Sequence, residues 1–169
     1  FFFKIWQEFI SVCVGNPRLV KRDQWRKHVD YEISLHASTN SMCFRKKMSS
    51  VRRRYNEFVW LRNSLENNAL IMYLPQIPWN PFFSLRNTGH VLQRMKGLQE
   101  FLESVLHTPL LLSDSRLHLF LQSDLSIAKI ERCALGKTKY TVAEAIQSTG
   151  SNCVSLLEAK LSGGFDCER

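Results

Sequence analysis

The sequence predicts an α+β fold, because a β-type first third is followed by segments with helical periodicity. Residues 29–36 alternate between apolar and polar side chains, which is typical of a strand buried on one face. Farther along, Val91, Leu98 and Leu102 recur at the spacing of one helix face. With 169 residues and 44% hydrophobic content, the chain can bury one core and carry a smaller appendage.

Three strands are predicted in the first third of the chain. The first covers residues 9–14 and ends at the turn residues 15–17, which read Gly-Asn-Pro. The second contains the alternating segment 29–36. A turn near residues 38–41 then leads to a third strand over residues 42–53. Consecutive strands with short links favour an antiparallel meander.

Two longer helices are predicted after the sheet. One covers residues 56–67, and the other contains the apolar positions of residues 91–105 and ends before Pro109. Between them, residues 74–83 read LPQIPWNPFF, which is a proline-spaced loop that ends in aromatic side chains. Prolines at this spacing disfavour a helix, so the segment is predicted to be a connection.

Three short helices are predicted in the last third from their capping residues. Ser113 and Ser126 are expected to cap the first two, and the second of these is expected to end at Gly136. Thr141 and Glu144 have the spacing of a capping box, which predicts a last helix over residues 141–147.

Composition restricts the class of partner. The net charge of +8 and the isoelectric point near 9.5 favour an anionic partner, either a lipid surface or a nucleic acid. The five cysteines are scattered and contain no Cys-x-x-Cys pair, which favours reduced thiols in a cytosolic protein. The longest apolar run, residues 69–74, is far below the roughly 20 residues that a spanning helix needs. Any membrane contact is therefore predicted to be peripheral.

The run VRRRYNEFVWL at residues 51–61 is the strongest indication of a ligand site. It places Arg53 and Arg54 at the predicted end of a strand and Tyr55 at the start of a helix. The planar guanidinium matches phosphate oxygens, and an aromatic face suits a ring-shaped ligand. A basic cluster alone is more often a solvated surface, so the interpretation depends on what else the chain offers.

The order of an arginine-arginine-aromatic motif, a proline-spaced loop and an arginine-bearing helix resembles a PX domain, the phosphoinositide-binding module of sorting nexins. The resemblance covers roughly residues 7–123, and residues 111–123 and 136–146 are similar to a subgroup whose PX domain carries a C-terminal helical extension. It implies the PX fold, in which a three-stranded antiparallel sheet packs against a helical subdomain. The expected units are a PX domain at 7–125, the extension at 126–148 and a tail of unknown role at 149–169.

The resemblance also implies the site residues. Arg54 falls where the family holds the 3-phosphate of phosphatidylinositol 3-phosphate, and Tyr55 where an aromatic packs against the inositol ring. Arg94 falls where a helix arginine binds inositol hydroxyls. Arg53 ranks below these as a structural or secondary electrostatic residue. Two alternatives stay open, namely that Tyr55 is a core aromatic and that Arg94 extends into water.

This sequence departs from the family pattern at one ligand-binding position. The lysine that usually follows the second loop proline and binds the 1-phosphate is missing, and residues 79–81 read Trp-Asn-Pro instead. Arg86 and Lys96 are candidate substitutes. Apolar side chains in the loop are predicted to enter the bilayer interface, with packing on the domain's own helices as the alternative. These side chains are Trp79, Phe82, Phe83 and Leu85.

The resemblance implies a monomeric, non-enzymatic protein that binds phosphatidylinositol 3-phosphate peripherally on the cytoplasmic face of endosomes. It would recruit a protein partner through the extension helices and act in endosomal sorting. No cofactor or metal is expected, because the five histidines lack metal-ligand spacing and no Gly-rich phosphate loop or nucleophile elbow is present. One alternative is a degenerate PX module without selective lipid binding. Another is a basic nucleic-acid binder, although the chain contains no recognised nucleic-acid-binding motif.

Overall fold

The computed structural model describes residues 9–69, 73–78 and 88–149, and it confirms the α+β class. Three antiparallel strands form one sheet in the order β1-β2-β3. The strands are β1 (Phe9–Lys21), β2 (Lys27–Ser38) and β3 (Met48–Arg54). The helices are α1 (Tyr55–Ala69), α2 (Thr88–Leu106), a short 3₁₀ helix (Pro109–Ser113), α3 (Ser115–Gln122), α4 (Ile127–Ala134) and α5 (Val142–Gln147).

The first strand is longer than the sequence predicts. The expected turn at residues 15–17 is a bulge, because the pairing of β1 with β2 shifts register between Gly15 and Arg18 and then continues. Asn16 has a φ of 44°, a left-handed conformation that asparagine tolerates better than most residues. Pro17 is accommodated because β1 is an edge strand, where a missing N–H leaves the ladder intact.

The third strand begins later than predicted, at Met48 rather than near residue 42. Residues 39–47 form a connection instead, because the side chain of Phe44 is buried away from the sheet. Its ring lies edge-on to the imidazole of His118 on α3, with 4.9 Å between the ring centroids. The hydrophobic anchor therefore draws this segment towards the helices.

The core lies between one face of the sheet and the helices. The inner face of β2 contributes Tyr31, Ile33 and Leu35, which are buried. Phe58 of α1 and Phe120 of α3 meet edge-on beneath it, with 5.3 Å between their ring centroids. Because side chains alternate along a strand, this packing also fixes the directions in β3: residues 51 and 53 face inward, and residues 52 and 54 face outward.

The last two helices pack on α3 through buried side chains from each of them. The capping box is confirmed, since Thr141 Oγ1 accepts from the Glu144 N–H at 3.2 Å and Glu144 Oε2 accepts from the Thr141 N–H at 2.7 Å. Ser126 occupies the predicted N-cap of α4 without making a side-chain cap bond. The prediction for α3 was wrong by one residue. Ser113 ends the 3₁₀ helix, and Asp114 caps α3 by accepting a first-turn N–H at 2.8 Å.

An ion-pair network lies on the outer face of the sheet around Asp30. Its carboxylate accepts from Arg18 at 2.7 Å and from Arg52 at 2.8 Å, and Arg52 also approaches Glu32 at 3.6 Å. Burial raises the pKa of the Asp30 carboxyl, but the hydrogen bonds and charges of the two guanidinium groups outweigh it and hold the pKa below its usual value. The network ties all three strands together.

We expect acid to destabilise the fold partly through Asp30. Because its folded-state pKa lies below the unfolded value of about 3.9, its contribution is fully present above about pH 4 and is lost as pH falls through the folded-state pKa. The Asp30→Asn variant should lose about 1–2 kcal/mol of unfolding free energy at pH 7. In this variant the unfolding free energy should also depend less on pH below pH 4. Urea unfolding at pH 7, 4 and 3 measures both effects, and an identical acid dependence of the two proteins would contradict the assignment.

Candidate functional site

Arg54 is the last residue of β3 and its side chain is exposed on the outer face. Its cross-strand partner is Asp30, whose carboxylate is already occupied by Arg18 and Arg52. Within the described ranges, no acidic side chain pairs with the Arg54 guanidinium. The end of β3 therefore presents a cation that can bind an anion from solution.

Glu57 fixes the backbone at this cation, and the sequence analysis did not single it out. Its Oε2 accepts from the backbone N–H of Arg54 at 2.8 Å, and its Oε1 lies 3.6 Å from the Arg53 guanidinium. Glu57 stands three residues after Arg54, which is the spacing of the glutamate in a capping box. That spacing was the available signal. The carboxylate holds Arg53 inward while Arg54 points outward.

Tyr55 and Arg94 lie together beside this position. The Arg94 guanidinium is 5.0 Å from the centroid of the Tyr55 ring, a cation–π distance. Arg94 is only 5% exposed, so α2 holds it in the interior rather than in water. The Tyr55 hydroxyl donates to the Pro78 carbonyl at 2.8 Å, while the ring is half-buried. Burial raises the pKa of Tyr55, and the charge of Arg94 opposes that shift.

Arg94 also approaches Tyr31 of the sheet. Burial raises the pKa of the Tyr31 phenol, and the adjacent positive charge of Arg94 opposes that shift. Arg94 thus lies between two aromatic residues, one on β2 and one at the start of α1. This arrangement orients the guanidinium before any ligand arrives.

Gly97 allows the proline loop to pack closely on α2. A Cβ at this position would lie 2.6 Å from Cγ of Pro78 and 3.0 Å from two further atoms of the same ring. Since the Pro78 carbonyl anchors the Tyr55 hydroxyl, the missing side chain also determines where the Tyr55 ring lies. Sequence reasoning missed this residue, because an isolated glycine in a helix carries no direct sign of the contact it permits.

Arg53 is placed in the interior, 3% exposed, and it faces the C-terminal end of α3. Its guanidinium and Nε donate to four backbone carbonyls at 2.7–3.4 Å, and it lies 5.0 Å from the centroid of the Phe120 ring. The carbonyls belong to Leu119, Phe120, Ser123 and Leu125. This geometry favours a structural role over a ligand contact, so we leave Arg53 out of the proposed ligand set.

Lys96 lies on a different side of α2 from Arg94. The two residues are separated by about 200° around the helix, and the Lys96 side chain is 79% exposed with its Nζ 3.9 Å from Glu100. The Lys96 side chain therefore lies in solvent and not at the Arg94 site. The other candidate substitute, Arg86, lies outside the described residues. So do the four side chains predicted to enter a bilayer, Trp79, Phe82, Phe83 and Leu85.

Two further features bear on the class of site. None of the helices in residues 9–69 and 88–149 is long and apolar enough to cross a membrane. The same part of the chain contains no cluster of three or more His, Cys, Asp or Glu side chains that could hold a metal ion. The side chains of Arg54, Tyr55 and Arg94 are suited to a ligand that combines an anionic group with a hydroxyl-bearing ring.

Comparison with known proteins identifies the family. The family model described as PX domain matches residues 41–124. The chain is 66% identical over 145 residues to sorting nexin-10A of Danio rerio, covering 85% of this chain and 62% of that relative's length. It is 57% identical over 141 residues to sorting nexin-10 of Homo sapiens, covering 83% of this chain and 69% of the relative. It is 47% identical over 148 residues to human sorting nexin-11, covering 87% of this chain and 54% of the relative.

A solved structure shows the same fold. A designed CISK-PX domain determined by X-ray crystallography matches with a TM-score of 0.55 and 23% identity, covering 67% of this chain and 99% of that one. The sequence relatives also confirm the predicted subgroup, which is that of sorting nexin-10 and sorting nexin-11. The chain belongs to the sorting nexins that carry a PX domain.

Proposed function

We propose that the protein is a non-enzymatic reader of phosphatidylinositol 3-phosphate. Arg54 supplies paired, charge-assisted hydrogen bonds to the 3-phosphate, and the Tyr55 ring packs against the inositol. Arg94 donates to ring hydroxyls. The observation that carries the proposal is the packing of Arg94 on the Tyr55 ring, at 5.0 Å, where Tyr55 directly follows the exposed Arg54 in the chain. A positioned cation and an aromatic ring next to an available arginine match the chemistry of a phosphorylated cyclohexane polyol.

The departure in the proline loop affects affinity. The family lysine for the 1-phosphate is absent, and the loss of one charged hydrogen bond costs about 1.5–3 kcal/mol. The single-headgroup affinity is therefore modest, and other contacts with the bilayer contribute to attachment. The net charge of +8 supplies an attraction to anionic lipid that does not depend on headgroup isomer.

The proposed cellular role is peripheral attachment to the cytoplasmic face of endosomes, where the protein recruits a partner for endosomal sorting. We assign residues 7–125 to the PX domain and residues 126–148 to its extension. The match to the PX family model ends at residue 124, just before α4. The packing of α4 and α5 on α3 supports the integration of the extension with the domain. Lys46 Nζ also donates to the carbonyl of Thr149, the first residue after the extension, at 2.7 Å. The outer surface of α4 and α5 is the proposed partner surface.

Vesicle co-sedimentation at physiological salt tests the lipid assignment. The chain is mixed with vesicles that contain phosphatidylinositol 3-phosphate, its 4- or 5-phosphate isomers, or no phosphoinositide. We expect selective binding to the 3-phosphate, weakened about 10- to 100-fold in Arg54→Gln. Arg54→Lys should weaken it by an intermediate factor, since it keeps the charge and loses the planar fork. Arg45→Gln, which removes an exposed charge from the β2–β3 connection, is the matched control.

The missing lysine favours one second candidate, a PX module that binds proteins without selective lipid binding. In that case wild-type and Arg54→Gln would bind all vesicles equally. The surface of α4 and α5 would then be the main functional site. Selective binding that depends on Arg54 argues against this candidate.

A further inference from the structure

The turn that joins β1 to β2 exposes an aromatic side chain among basic ones. Trp25 is 89% exposed, the highest value among the large apolar side chains that the structure describes. Residues 21–27 are all exposed. A single exposed apolar residue needs no explanation, but tryptophan together with lysine and arginine is typical of a bilayer interface. The basic residues of this turn are Lys21, Arg22, Arg26 and Lys27, against the single acid Asp23.

The turn has a defined local structure. The Asp23 carboxylate accepts from the backbone N–H of Trp25 at 3.2 Å and from that of Arg26 at 2.8 Å. A backbone bond from the Arg22 N–H to the Arg26 carbonyl at 3.0 Å closes it. The backbone is thus held by its own hydrogen bonds while the indole ring of Trp25 projects into solvent. Ordering this turn on a surface therefore costs little backbone entropy.

The sheet register places the turn at the same end of the molecule as Arg54. Arg54 pairs with Asp30 on β2, and β3 stops there. The pairing of β1 with β2 continues to Lys21 and Lys27, three residues beyond Asp30. At about 3.3 Å per residue, the two-stranded hairpin extends about 10 Å beyond the level of Arg54. A surface that offers an anion to Arg54 from this end also meets the hairpin.

We propose that the tip of the β1–β2 hairpin is a second membrane contact, in which Trp25 enters the interface of an anionic bilayer and the flanking basic residues bind lipid phosphates. This inference rests on the proposed function, since a headgroup at Arg54 sets the orientation of the bilayer. It is independent of the proline loop. A nucleic acid is the less favoured partner, because one tryptophan offers no platform for successive bases.

The hairpin is tested with the full chain on vesicles of phosphatidylcholine and phosphatidylserine, with and without phosphatidylinositol 3-phosphate. Each basic residue near an anionic leaflet contributes about fivefold to binding, so Arg22→Gln with Lys27→Gln should weaken it about 25-fold. Trp25→Ala should weaken it about tenfold. The control is Arg45→Gln with Lys47→Gln, which removes the same charge at the opposite end of the sheet, and it should change binding less than about twofold.

A second readout follows the indole directly. Bromine-labelled lipids should quench a fluorescence component of the wild-type chain that is missing in Trp25→Phe, since Trp25 is then within contact distance of the labelled chains. The inference would be overturned if the hairpin variants bound both vesicle types like the wild-type chain. It would also be overturned if the double variant in the hairpin weakened vesicle binding no more than the double control variant. A third contradicting result would be hairpin variants that lose binding to a nucleic acid but keep their binding to both vesicle types.

The two proposals fail in different ways. If Arg54→Gln loses selectivity while the hairpin variants bind normally, the lipid reader stands and the hairpin contact is wrong. If the wild-type chain shows no selectivity among headgroups, the lipid reader is wrong. In that case, weaker binding of the hairpin variants to vesicles with phosphatidylserine alone supports a membrane contact at the hairpin, and equal binding overturns it.

Discussion

Replacing Arg53 with methionine should lower the unfolding free energy by about 3–5 kcal/mol. The guanidinium is 3% exposed and donates to carbonyls at the end of α3, where backbone oxygens lack helical partners. Methionine fills much of the volume but leaves these oxygens unsatisfied. It also leaves Glu57 without the cation that lies 3.6 Å away. Because a positive charge near a helix C-terminus is favourable, Arg53→Lys should recover part of the loss.

Urea unfolding at pH 7 measures the effect, and Arg26→Met is the matched control. The Arg26 side chain is 79% exposed, and its ion pair with Asp23 at 3.5 Å is a surface contact. Its removal should change the unfolding free energy by less than about 1 kcal/mol. Equal urea midpoints for the two methionine variants would show that the carbonyl contacts of Arg53 contribute little. A large loss for Arg53→Met alone identifies the second arginine of the run as a structural residue.

The prediction of the fold from sequence succeeded where the signal was local. The alternation of β2 and the helical spacing of α2 are properties of single segments, and both elements formed as predicted. The prediction failed where a distant contact decided the outcome. Residues 42–47 have a composition that is compatible with a strand, but Phe44 finds its burial against His118 on α3. That contact is not visible in the segment itself.

The arrangement of the candidate site residues could be predicted in part for the same reason. The resemblance implied Arg54, Tyr55 and Arg94 as ligand residues, and the structure brings Arg94 onto the ring of Tyr55, the residue that follows Arg54. Their roles in binding stay predictions. Strand alternation could also have placed Arg53 inward, because Val51 on the same face is apolar. The sequence could not show which arginines form ion pairs. That choice depends on Asp30, which lies on the neighbouring strand β2.

The position of Tyr55 depends on a contact between a loop and a helix. Its hydroxyl donates to the Pro78 carbonyl, and Pro78 packs against α2 where Gly97 has no side chain. A methyl group at Gly97 would lie 2.6 Å from Cγ of Pro78, and a proline ring cannot rotate away. The loop backbone must then move. Any such movement also displaces the carbonyl that holds the Tyr55 ring against Arg94.

We therefore expect Gly97→Val to lower the unfolding free energy by about 3 kcal/mol and to weaken binding to phosphatidylinositol 3-phosphate vesicles. Valine and glycine have similar helix propensities, so the loss reports the clash with Pro78.

Gly97→Ala separates the loss of stability from the loss of binding. Its gain of about 1 kcal/mol in helix propensity offsets part of the clash, so stability should change little while binding still falls. Leu92→Val, at an exposed position of the same helix away from the Pro78 contact, is the control and should leave binding unchanged. If Gly97→Ala bound the lipid like wild-type, the link from Gly97 through Pro78 to Tyr55 would be wrong, because the loop would have moved without disturbing the ring.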